Sequence, residues 1–167
     1  MRARYPDPKN LEITGIGFLE GSILWRLAAA ADPGGNPAAE TRLASSPTGG
    51  GEPQLDADWQ EHVLPELRML FASAVEIVRH DLVGSWRHPG TDAGLRIPVA
   101  HIEAWLLALN QARLALAARH DLTEGTMNER PPDDLRPPTI ARLFVDFFGG
   151  LQHLLIEATG KDEAAPL

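Results

Sequence analysis

The chain has 167 residues, with 15 Lys and Arg against 23 Asp and Glu, a formal charge of −8, and 44% hydrophobic side chains. This is the composition of one ordinary globular domain with enough apolar surface for a real core. The absence of cysteine excludes disulfide scaffolds, thiolate zinc sites, iron–sulfur clusters and cysteine nucleophiles, and the acidic balance argues against nucleic acid, whose phosphates are bound by Lys and Arg.

From the N-terminus, Leu11, Ile13 and Thr14 alternate with other residues like a short strand, and Phe18 to Ala31 can form a helix that Gly21 weakens. Glu12, Glu20 and Arg26 interrupt this region, so it does not read as a secretory leader. No stretch reaches eighteen consecutive apolar residues, so the expectation is a soluble, cytoplasmic protein with no membrane partner. The window Asp32 to Pro53 holds five of the 15 glycines and four of the 14 prolines, with Leu43 its only large apolar side chain. It reads as a loop or linker, taken as 32–56, with too little apolar area to pack.

A second helix is expected from Asp58 to about Val83, with a face of Val63, Leu67, Leu70, Phe71, Ala74, Val78 and Leu82. Pro65 falls inside it and should split or kink it. Leu95, Arg96 and Ile97 form an extended piece that can match the N-terminal strand. A third helix opens at Pro98 and runs to about His120, with Ile102, Trp105, Leu106, Leu109, Ala112 and Leu116 on one face. Asn128 to Pro138 is a second proline-rich break. The fourth helix starts near Thr139 and stops at Gly160, with a face of Ile140, Leu143, Phe144, Phe147, Leu151, Leu154, Leu155 and Ala158. The tail 161–167 is expected to fray. The fold expected is therefore all-α: a single helical domain over 1–167, four-helix bundle-like, with room for a minor two-stranded β-ribbon.

The string Ala104-Trp105-Leu106-Leu107-Ala108-Leu109-Asn110-Gln111-Ala112-Arg113-Leu114-Ala115-Leu116 resembles a recurrent segment of a bacterial family, the domains of unknown function numbered two-zero-one-seven. The preceding helix is similar to that family's long middle helix through Pro65-Glu66-Leu67-Arg68 and Phe71-Ala72-Ser73, so the likeness spans Trp59 to Leu122. Such a family implies no activity, cofactor or catalytic residue. In some bacteria similar genes lie beside that of a Clp protease adaptor, and the resemblance thus implies a proteolysis-related role by association.

Within this segment, Asn110 and Arg113 are the polar residues of interest. Arg113 recurs at helical spacing with apolar neighbours, so its guanidinium either snorkels, pairs with an acid such as Glu76, or grips an anion that Asn110 orients. The structural alternatives are favoured. Trp105 reads as core in preference to a ligand platform. The candidate binding set is accordingly Glu76, Trp105, Asn110 and Arg113, with no catalytic residue, no cofactor and no metal.

No Glu-x-x-His spacing of a di-iron bundle, no His-Glu-x-x-His, and no phosphate or dinucleotide loop occurs. The pairs Glu76 and His80, His62 and Glu66, and His153 and Glu157 are four apart, and read as surface pairs. His80 and His120 lie near predicted helix ends, where the helix dipole favours them without any catalysis. Ser22, Ser73 and Ser85 lack the signature of an activated nucleophile. Adjacent Gly149 and Gly150 point to close helix approach, or to a small pocket bordered by Asp146 and His153. Phe148 and Ile156 widen the apolar surface of that helix, which suggests a homodimer. The function expected is a non-catalytic interaction or regulatory protein that binds a protein partner or itself. The alternative is an anion-binding or enzymatic bundle with a pocket around Arg113, and a transcriptional regulator ranks third for want of a basic recognition helix.

Overall fold

The computed structural model describes residues 1–85, 94–129 and 136–162; of Ser85, Lys161 and Asp162 it describes the backbone alone. Pro131 and Pro132 of the predicted break, the side chain of Ser85 and residues 163–167 of the predicted tail lie outside the described residues. The chain is mostly helical with a small antiparallel sheet, as its periodicity implies. That sheet has three strands in the order β1 (Arg2–Asp7), β2 (Asn10–Thr14) and β3 (Leu95–Pro98). The β2 and β3 pairing matches the anticipated ribbon, with Leu11 opposite Ile97 and Ile13 opposite Leu95. All four of these side chains are fully buried, because alternate strand residues face the helices. β1 is the addition. It joins β2 through a tight turn in which Asp7 Oδ1 accepts from the Lys9 backbone N–H and from Asn10 Nδ2, both at 2.9 Å.

The Phe18 to Ala31 stretch forms two short helices, α1 (Phe18–Leu24) and α2 (Leu27–Ala31). The break falls at Trp25 and Arg26, and Gly21 sits buried inside α1. Most of the Gly/Pro-rich window folds, contrary to the expectation of an unpacked loop. It contains α3 (Pro37–Leu43), which is docked on the central helix and begins with Asn36 accepting from the Ala39 N–H at 3.0 Å. Small residues make this docking possible without large apolar area: Ala39 is fully buried. The turn before it uses Gly34 and Gly35, both at positive φ.

α4 (Pro53–Asp58) leads through a π-helical turn at Trp59–Val63 into α5 (Leu64–Ser85). Pro65 explains the wide turn. In a regular helix its ring would meet the carbonyl four residues back, and it has no N–H to donate, so the turn widens and the rod continues. Only the C-terminal half of α5 enters the core, through Ala74, Val78 and Leu82; Val63, Met69 and Leu70 are exposed.

A single 3₁₀ turn (Val99–His101) opens α6 (Ile102–Arg119). α6 is the centre of the molecule and touches α2, α3, α5 and α8. Ile102, Trp105, Ala108, Leu109, Ala112, Ala115 and Leu116 are all buried, so the predicted face holds and extends most of the way round. After α7 (Glu124–Asn128), α8 (Pro137–Asp162) lies along α6. Arg142 of α8 donates to the Thr126 and Met127 carbonyls, at 2.8 and 2.5 Å, and so covers the C-terminal end of α7 with positive charge. The buried stripe of α8 is Ala141, Val145, Phe148, Leu151 and Leu155, rotated from the predicted one; Ile140 and Leu143 are exposed. By length and composition α8 alone, among the described residues, is long and apolar enough to cross a membrane, with 28% of that window buried.

Candidate functional site

Three arrangements of polar side chains stand out against this core. The first locks α5 to α6. Asp81 sits on the core side of α5, 5% exposed. Its Oδ2 accepts the Trp105 indole N–H at 2.9 Å, and both carboxylate oxygens lie 3.0 Å from His101 Nδ1. A buried carboxylate requires donors, and these two supply them. Trp105 is thus core, as expected, with its polar atom satisfied by an acid that sequence reading passed over. The sign was present: Asp81 lies between Val78 and Leu82 on a face otherwise apolar.

The second arrangement involves Arg113. Its NH1 donates to Gln152 Oε1 at 2.7 Å, and Gln152 is itself placed within 3.5 Å of the Leu106 carbonyl. No acid partners the guanidinium among the described residues, and Nε is buried without a hydrogen bond. Gly149 accounts for the fit. A Cβ there would stand 3.4 Å from Arg113 Nε, so the guanidinium of α6 packs directly against this glycine of α8. For Gly149 this is the close helix approach anticipated for the glycine pair, whereas Gly150 faces open space. Glu76 does not join Arg113. It is exposed on α5 and ion-paired at 2.6 Å with Arg79, while Asn110 is exposed on α6. The predicted set of Glu76, Trp105, Asn110 and Arg113 is therefore spread over different faces. His153 and Glu157 form the expected exposed pair at 3.4 Å, and no group of three metal-ligating side chains exists among the described residues.

The third arrangement is a cleft of about 620 Å³ between α3 and the projecting half of α5, roofing α6. Leu43 and Ala44 form one wall, Leu64, Phe71 and Val75 the other, and Ala28 and Pro33 close one end. Its mouth carries Asp32, Glu40 and Glu76 with Arg68 as the one cation of the lining. Hydrogen bonds from Arg79 hold the Glu76 carboxyl below the usual range, so it is ionised at neutral pH. Gln111 is the only lining residue that is fully buried, 6% exposed. Its Nε2 donates to the Ala31 carbonyl at 3.1 Å, and its Oε1 has no hydrogen-bond partner among the described residues.

Four elements far apart in sequence build this cleft, which is why no motif announced it. Of the candidate set only Glu76 lines it, and Gln111 left a trace as a polar side chain in step with Ala108 and Ala115 on a buried stripe. Its Oε1 is enclosed by protein, so the amide belongs to the packing beneath the cleft and the apolar walls are what the cleft presents.

Neither the curated proteins nor the solved structures contain a match to this chain. A family model does, over residues 5–159, from the N-terminal hairpin to the last turns of α8. Its description is a domain of unknown function, DUF2017, in agreement with the resemblance carried by α5 and α6, and the match spans both helices and every residue that lines the cleft. The chain belongs to the DUF2017 family.

Proposed function

We propose that this protein is a non-catalytic binding and regulatory protein whose cleft between α3 and α5 receives a small ligand. The observation that carries the reading is the composition of that cleft. Its size falls among small-molecule sites and its walls are apolar, with charged side chains among the lining residues. The lining holds carboxylates and one guanidinium but no histidine, serine, threonine, tyrosine or lysine, so exposed carboxylates are the only groups of the lining that could act as base or nucleophile, and the binding reading is preferred. This reading puts the ligand in the cleft between α3 and α5, whereas the alternative considered from sequence puts it around Arg113. A proteolysis-related setting rests on the family association alone.

The experiment is a thermal-shift screen of charged and neutral metabolites on the wild type and on Ala72→Trp, which places an indole in the cleft from an exposed wall position. Compounds that stabilise the wild type but not the variant support the reading. Equal stabilisation of both, or turnover of a bound compound, overturns it.

Self-association is a second reading, favoured by a specific observation. Ile140 and Leu143 are exposed on α8 and Phe147 and Leu154 half-buried, at spacings that place them on one flank beside the buried stripe. A second copy would cover that flank, giving the homodimer expected from sequence. Sedimentation would show a dimer that Leu143→Glu dissociates; a monomer at high concentration would end this reading.

A further inference from the structure

We infer that a second copy of the chain lies antiparallel along α8 about a two-fold axis, each Phe147 seated over the partner's Gly150 and each Asp146 facing the partner's His153. This rests on the reading of the α8 flank as a self-association surface, and names the register and contacts by which the chain recognises its own kind.

α8 has one face for α6 and a second that is just as regular. Ile140, Leu143, Phe147, Gly150 and Leu154 follow one another in steps of three and four, the repeat by which one helix receives the side chains of another. Ile140, Leu143 and Gly150 are exposed, and a Cβ on Gly150 would meet nothing within 4 Å. The seam thus carries a gap beside its largest side chain. A parallel copy would stack Phe147 on Phe147 and set one gap against the other. An antiparallel copy sets large against small: Phe147 meets the partner's Gly150 and Leu143 the partner's Leu154, each contact occurring twice, with Ile140 and Glu157 at the outer ends.

Charge chooses among the antiparallel registers. Asp146 and His153 border the seam on the same side, with side chains 59% and 75% exposed. Both keep capacity for a partner. Asp146 stands 3.9 Å from Arg142 Nε, whose other nitrogens donate to the α7 carbonyls, and Glu157 meets the His153 ring at Nε2, 3.4 Å away. In the register above, each carboxylate lies across from an imidazole, which can donate to it whether neutral or protonated. A shift of one heptad sets Asp146 against Asp146 in one direction, and Phe147 over the partner's Glu157 in the other. Like charges disfavour the first and a covered carboxylate the second.

The chain has no cysteine, so introduced thiols report the register without background. Leu143→Cys and Leu154→Cys are made singly in the full chain, and each alone and an equimolar mixture are mildly oxidised. Like positions stand about 16 Å apart along the axis, beyond disulfide reach, so the mixture should give covalent dimer at least about tenfold faster than either variant alone. His153→Asp sets carboxylates face to face and should weaken the dimer about tenfold in sedimentation; adding Asp146→Lys should restore it, because the two positions are about 10 Å apart within one helix and pair only across the interface. Both charge changes fall on exposed side chains and leave the core untouched. Single cysteine variants that cross-link as fast as the mixture, or a charge swap that restores nothing, overturn the antiparallel register; if Leu143→Glu still dissociates the dimer, self-association through α8 stands. A monomer at high concentration, or a dimer indifferent to Leu143→Glu, overturns both.

Discussion

The two halves of α5 have the same periodicity and opposite fates. From Ala74 to Leu82 the helix is tied into the core, its Asp81 bonded to His101 and Trp105 of α6. From Leu64 to Phe71 it projects, with Leu70 56% exposed and the cleft along one side. A continuous apolar stripe thus does two jobs: where a neighbouring helix meets it, it holds the fold, and where none does, it forms the wall of the cleft. Stability and binding should accordingly separate along the helix, and substitutions can be chosen to force them together or pull them further apart.

The largest effect is expected from Asp81→Ala. It leaves the Trp105 indole N–H buried and unbonded, and urea unfolding should show a loss of about 2–4 kcal/mol. A loss no greater than that of an ordinary surface change would show that the anchored half is held by apolar contact alone. Next comes Gly149→Val, which puts methyl groups where Arg113 lies; overpacking should cost about 1–3 kcal/mol. Its neighbour provides the opposite sign. Gly150→Ala meets open space, so the gain in helix propensity should stabilise by about 1 kcal/mol in the same assay.

Leu70→Lys on the projecting half should change stability by no more than about 0.5 kcal/mol, and a larger loss would mean that this half is covered in solution. The smallest effect is local and depends on pH. Asp56 is buried under the 48–51 loop, and its hydrogen bonds, with Thr48 foremost and the Gly50 N–H at 2.8 Å, hold its carboxyl below the usual range. Because the folded value lies below the unfolded one, this contribution is complete above the ordinary carboxylate range and is lost as pH falls through the lowered folded value. Amide exchange at Thr48 and Gly50 should quicken there, before the core unfolds; the Asp56→Asn variant should lack this step.

How much of this was legible follows from what each residue needed. α6 could be read because neighbours on nearly all sides demand apolar residues at nearly all positions, and Trp105 and Leu109 fall where the spacing puts them. α8 was read as a helix but out of phase, because Ile140 and Leu143 are as apolar as the buried Ala141 and Val145 and only the position of α6 distinguishes them. β1 was overlooked: Ala3 and Tyr5 alternate with exposed Arg2, Arg4 and Pro6, but two half-buried apolar residues on an edge strand are a short signal. α3 was missed because alanines dock closely without adding much apolar weight. The candidate set from sequence centred on Arg113, whose charge drew notice. The neutral Gln111 two residues earlier lies beneath the cleft, whose walls come from elements remote in sequence.

The widened turn at Trp59–Val63 has a consequence for chain length. It stores backbone that a regular helix would not use, so losing one residue there, with Pro65→Ala to remove the ring's clash, would let the rod close into ordinary helix without cutting α5. The cost would be rotational: α4 would swing about the shared axis and carry Leu55 and the Asp56 anchor of the loop to a new bearing, while the cleft walls on α5 kept their places. Shortened and full-length turns would therefore differ in the bearing of α4 and of the loop it anchors, with the same cleft along α5.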